Sequence, residues 1–224
     1  MITKNTYYKN EIYIPHAKPS ITSDVTTVSA DLEYFIDEYE TECLIKCLGL
    51  PLATEFIATL DVSKTNGLKD GVDNKWNDLL NGKTYTDQNG DTIQWKGIRR
   101  LSNPADTEPS KSFLANYVFY HYEQNYDVFR TGVGHVKPKG ANTEERSPTQ
   151  KVIKAWRDMV DIIQGREFKS EVIVKSFGLG VDYYHTNEDK TLYQFIRDMN
   201  YATPDTYADF RPGYWEVRTN QFGL

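Results

Sequence analysis

Cysteine is nearly absent from this chain: Cys43 and Cys47 stand alone among 224 residues. Two thiols four apart in a predicted helix, with no histidine beside them, make neither a disulfide framework nor a zinc site. They read as buried, reduced thiols, consistent with synthesis in a reducing cytoplasm. Positive charge is outnumbered, 26 Lys and Arg against 32 Asp and Glu. The formal net charge is −6, no basic stripe runs along any predicted element, and an acidic surface repels nucleic-acid phosphates. Long apolar runs are missing, so no membrane span is expected, and "MITKNTYYKNEIYIPHAKPS" lacks the apolar centre of a signal peptide. The four histidines, His16, His121, His135 and His185, never fall into a metal-binding spacing.

Catalytic motifs fail one by one. "GVGHVK" resembles the start of a glycine-rich phosphate loop, but it lacks the third glycine and follows a helix rather than a strand. "DQNGDT" starts like a calcium loop, yet Ile98 stands where the closing glutamate belongs. Cys43 lies on an apolar helical face, where a thiol stays protonated, so pairing it with His121 has no support. No catalytic, cofactor or metal site is expected. One enzymatic alternative stays open: a small hydrolase or nucleotide-modifying enzyme whose carboxylates converge only in the fold.

What the chain has in abundance is aromatic side chain, with 16 Tyr, 10 Phe and 4 Trp against a hydrophobic fraction of only 39%. The pattern predicts a mainly α protein: a small helical bundle with one β-hairpin, a long inter-helix loop and extended N- and C-terminal segments. Residues 1–30 alternate β-prone and polar types and read as an extended arm. Residues 31–163 read as the body. Its first helix starts at Ser29 or Asp31, with Leu32, Phe35, Ile36, Tyr39, Cys43 and Cys47 on one face. Gly49 ends that helix and Pro51 opens the next. "KWNDLLNG" is a short amphipathic helix. "KTYTDQNGDTIQWKG" is a hairpin near 83–95 that pivots on Asn89-Gly90. "KSFLANYVFYHYEQNYDVF" is aromatic nearly all round and should be central. Ser147-Pro148 starts a last body helix with Val152, Trp156, Met159, Val160 and Ile163 in one stripe. Residues 164–224 read as a C-terminal extension and tail, with "EVIVKSF" a candidate strand and "TLYQFIRDM" a short helix.

Between the two long helices lies "RTGVGHVKPKGANTEERSP", Arg130 to Pro148, far longer than the usual connection of about 4–6 residues. Long arms, a long loop and an aromatic tail favour a protein held between others, because exposed rings need a cover.

The order of these segments carries a resemblance. "LEYFIDEYETECLIKCLGLPLATEF", "WNDLLNGKTY", "IQWKGIRRL", "SFLANYVFYHYEQN" running into "TGVGHVKPKGANTEERSPTQKVIKAWRDMV", and the closing "NQFGL" resemble the head–tail connector (adaptor) proteins of tailed bacteriophages, in the form found in crAss-like and other Bacteroidales phages. The likeness covers residues 31–163 and the last few; 165–215 lie outside it. It implies a structural, non-enzymatic virion protein at the head–tail junction, made in the host cytoplasm. Such a subunit forms a ring of twelve copies beneath the portal protein, continues the DNA channel and takes part in genome ejection. Its partners would be its own copies, the portal and further ring or tail proteins. DNA would pass as non-specific cargo, with no cofactor and no membrane. An assembly chaperone is the remaining alternative.

Three sets of residues follow as candidates. Gly132, Gly134, His135, Lys137 and Lys139 of the long loop are placed at a subunit interface, with the lysines facing a neighbour's acidic first helix. Tyr214, Trp215, Phe222 and Leu224 are placed in an adjoining virion protein. Glu38, Glu40 and Glu42 are placed facing the channel, where they would keep DNA from adhering.

Overall fold

A computed structural model of the chain describes residues 1–14, 26–87, 90–100, 112–126, 129–131, 134–136, 149–165 and 190–216. Six α-helices carry the architecture: α1 Thr26–Leu48, α2 Leu50–Thr59, α3 Asn74–Asn81, α4 Phe113–Tyr126, α5 Thr149–Ile163 and α6 Leu192–Ala202. Strands β1 Lys83–Thr86 and β2 Thr92–Trp95 pair antiparallel, with Tyr85 opposite Ile93. The mainly helical class and the predicted hairpin are therefore both present. A second, shorter pair, β3 Phe129–Thr131 with β4 Gly134–Val136, lies where the sequence predicts only loop.

α1 packs on α2 and α4, and α4 packs on α5. The predicted face of α1 does the work: Leu32, Ile36, Cys43 and Cys47 are almost fully buried, and Phe35 and Tyr39 half so. α4 is central, as its all-round aromatic pattern predicts; Phe113, Leu114, Ala115, Tyr117, Val118 and Phe119 are all buried. Each such large apolar side chain contributes about 1.5–3 kcal/mol relative to an exposed one. α1 begins at Thr26, earlier than the Ser29 or Asp31 start expected from the β-prone run before it.

Neither end of the described chain stands apart from the body. Residues 1–14 hold two short 3-10 turns, Asn5–Tyr7 and Asn10–Ile12. They bury Ile2, Thr3, Tyr7, Tyr8 and Ile14. Tyr7, Tyr8 and Ile14 share one apolar cluster with Leu32, Ile36, Ala115, Phe119 and Ala155. The expected extended arm is thus, over these residues, a strap seated on α1, α4 and α5.

The C-terminal part joins the main core. α6 starts with a capping box, in which the Thr191 hydroxyl accepts from the Gln194 N–H and the Gln194 side chain accepts from the Thr191 N–H. Phe195 stacks on Trp95 of the hairpin, with centroids 5.3 Å apart, and the Tyr85 hydroxyl donates to Asp198 at 2.7 Å. Residues 203–216 then cross the α1–α2 corner. The N–H groups of Arg211 and Gly213 donate to the Leu48 and Lys46 carbonyls, both at 3.0 Å, which satisfies acceptors that the end of α1 leaves open. Gly49 makes this crossing possible. Its φ of +87° suits glycine, and a Cβ there would meet Arg211 Cβ at 3.0 Å. The strap and the C-terminal part thus both pack on the body, Tyr7, Tyr8 and Ile14 in one apolar cluster and Phe195, Tyr207 and Trp215 in the other. The candidate strand "EVIVKSF" lies outside the described residues.

Candidate functional site

Glu40 is expected on the outer face of α1, and the structure places it inside. Only 3% exposed, its carboxylate accepts from the Ile2 N–H at 2.5 Å, the Thr3 N–H at 2.9 Å and the Thr3 hydroxyl at 2.8 Å. Burial pushes its pKa above the ordinary carboxylate value, although the bonds from Thr3 and Ile2 pull the other way. Glu40 therefore anchors the strap and is not available to a channel. Glu42 is half-buried and engaged as well. It pairs with Lys46 one turn on, and the Tyr117 hydroxyl donates to it at 3.0 Å while accepting from Lys46 Nζ at 2.8 Å. Burial raises the Glu42 pKa, but the bonds from Lys46 and Tyr117 outweigh it, and the net shift is downward. Of the three glutamates only Glu38 is exposed, and it shares the outer side of α1 with exposed Glu33 and Asp37.

The tail residues divide in the same way. Trp215, 4% exposed, is buried in its own subunit. It packs against Tyr117 and Trp156, with centroids 5.6 and 5.8 Å away, and its indole N–H donates to the Tyr193 hydroxyl at 3.1 Å. The Gln164 side chain bonds both backbone groups of Trp215. So Trp215 is a core residue rather than a partner-binding one. Its neighbour Tyr214 points outward at 75% exposure, next to Gly213, which is bonded to Lys46 near the end of α1. Phe222 and Leu224 lie outside the described residues.

For the loop, Gly134 and His135 fall in β4, whose register pairs His135 with Arg130 and Gly134 with Thr131. Gly132, Lys137 and Lys139 lie outside the described residues. β3 follows α4 within three residues.

The titratable groups with shifted pKa values are structural in their bonding. Burial raises Cys43 well above the usual thiol value, so it stays protonated, as its apolar face implies. Burial depresses His121, with Lys46 adding to the effect and Glu42 opposing it; the ring lies stacked on Tyr39, with centroids 4.1 Å apart. Burial pushes Tyr7 up to about 12. Tyr117 is raised by burial and by the facing Glu42, which accepts its hydroxyl proton while Lys46 donates to the same oxygen. Among the described residues, no group of three or more His, Cys, Asp or Glu is placed to hold a metal ion, and no helix is long and apolar enough to cross a membrane.

What the sequence reading missed was the strap's receptor. Its parts come from α1 (Glu40, Leu32, Ile36), the turn after β2 (Arg99) and α5 (Lys154). The Tyr7 hydroxyl donates to the Arg99 carbonyl at 3.4 Å, and Lys154 pairs with Glu11 at 2.8 Å. A lone glutamate in an otherwise apolar row, Leu32–Ile36–Glu40–Cys43–Cys47, is the one signal that pointed to it. Comparison with family models, with curated proteins and with solved structures finds no match for this chain.

Proposed function

We propose that this chain is a structural subunit of a phage virion, a head–tail adaptor that forms a ring between portal and tail and continues the DNA channel. One observation carries the reading beside the sequence resemblance. The described segments that bear the likeness, α1 to α5 with the hairpin, pack as neighbouring parts of one body, and a second strand pair, β3–β4, lies in the long connection between α4 and α5. A head-to-tail ring needs two different patches on each subunit. The 127–148 connection, with Lys137 and Lys139, is one. The exposed acidic side of α1, with Glu33, Asp37 and Glu38, is the other. Exposed Tyr214 and Leu50 at the α1–α2 corner offer an apolar contact for an adjoining virion protein.

Light scattering of the purified chain, alone and mixed with the portal protein of the same virus, tests this. A closed oligomer of about twelve chains, formed alone or on the portal, is expected. A chain that stays monomeric and passes the portal by overturns the reading.

A further inference from the structure

We propose that residues 1–14 are an exchangeable strap: in the assembled ring each copy seats its strap in the receptor of the next copy, making there the contacts it makes here on its own body. This rests on the ring reading above and adds the element that links one subunit to the next.

The receptor is built wholly by the body. Glu40 offers a buried carboxylate to two backbone N–H groups and one hydroxyl of the strap. A buried carboxylate is costly unless its hydrogen bonds are made, so α1 carries a socket whose only described occupant is Ile2-Thr3. An apolar slot of Leu32, Ile36, Ala115 and Phe119 receives Tyr7, Tyr8 and Ile14. Lys154 closes the far end on Glu11 at 2.8 Å.

None of these contacts depends on which copy supplies the strap. Residues 15–25 connect it to α1, and eleven residues span at most about 36–40 Å. A globular body of this length has a radius of gyration of about 17 Å, so a strap can reach a receptor on an adjoining body. Exchange keeps every strap contact, so the two arrangements differ only in the connection and in whatever new surface is covered. Such surface is present at both ends of the connection: Tyr13 is 58% exposed just before it, and Tyr34 is 64% exposed in the part of α1 that follows. Exposed rings on the elements to either side of the connection are what a neighbour's body would cover.

The test uses two chains that cannot cross-link in cis. Glu11→Cys is placed in one and Lys154→Cys in the other; both sites are about half exposed, so both variants should fold. The two are co-expressed, assembled with portal, and treated with a short bis-maleimide. Unsubstituted protein is the control for Cys43 and Cys47, which are buried. Rings with a cross-linked dimer at least tenfold above that control are expected. Rings that give no such dimer, while a chain carrying both substitutions links internally, overturn the strap and leave the ring reading standing. Failure to form rings at all, with the double-substituted chain again linked internally, overturns both.

Discussion

Replacing Glu40 by alanine and by glutamine should have unequal consequences. Alanine strands three buried donors of Ile2 and Thr3, each worth about 1–3 kcal/mol when left unpaired. Glutamine keeps one acceptor oxygen, enough for the Thr3 donors, but turns its NH2 toward the Ile2 N–H. Glu40→Ala should lower the urea midpoint and expose the strap to protease; Glu40→Gln should do both to a smaller extent. The sign of the pH dependence follows from the raised pKa. A carboxyl whose folded pKa lies above its unfolded value binds more protons in the native state. The resulting stabilisation is complete below the unfolded pKa and is lost as pH rises through the folded one. Wild type should therefore gain on Glu40→Gln as pH falls from neutral toward the ordinary glutamate value, read as a widening gap between their urea midpoints. Trp215 gives a second contrast. Trp215→Ala should cost about 3–5 kcal/mol through the cavity it leaves among Tyr117, Trp156 and Tyr193. Truncation after Arg211 should lower the melting temperature in the same way, whether or not any partner is present. An unchanged melting temperature would return Trp215 to the role of a partner-binding side chain.

At the scale of elements, local signals were readable and distant ones were not. The buried face of α1, the Asn89-Gly90 hairpin, the Pro51 start of α2 and the stripe of α5 all follow from spacing within a few residues. The early start of α1 at Thr26 was hidden by β-branched Thr26, Thr27 and Val28, whose weak helix propensity tertiary structure overrides. The second strand pair sits in a run of glycines and charges with no alternating pattern. Glu40 looked like one more acidic surface residue because its partners lie 37 and 38 positions away. Trp215 looked like a free tail because its bonds reach back 22 and 51 residues, and a segment that packs by crossing helix ends carries no period. One prediction belongs here. Removing Gly134–Asn142 takes away β4 and part of the α4–α5 connection while leaving the α1–α4–α5 contacts untouched. It should yield a monomer that melts near wild type and no longer forms rings, checked by calorimetry and light scattering together. Normal assembly of that variant would remove the loop from the interface.

For the whole molecule, the two ends turn the expected picture around. Aromatic residues on loose termini suggested a protein unable to satisfy itself alone. In the structure most of those described are buried internally: Tyr7 and Tyr8 of the strap against α1, α4 and α5, Tyr207 and Trp215 in the main core. The case for assembly now rests on the length of the connection between α4 and α5, the acidic side of α1, and the exposed rings of Tyr13, Tyr34 and Tyr214. The channel idea narrows accordingly. Glu38→Lys should leave folding intact; it should weaken ring assembly if this side of α1 takes the neighbour's lysines, and slow genome exit in an ejection assay if it faces passing DNA instead. Glu40→Lys should fail earlier, at folding, because it buries an unpaired cation. Normal ejection kinetics with Glu38→Lys would move the acidic side of α1 away from the channel. The most direct measurement is symmetry-resolved imaging of the portal complex assembled with this chain. A closed ring of copies beneath the portal, coaxial with an open channel and with the α4–α5 connection of each copy against α1 of the next, is the predicted result. Single copies scattered on the portal, or no density for the chain at all, would contradict it.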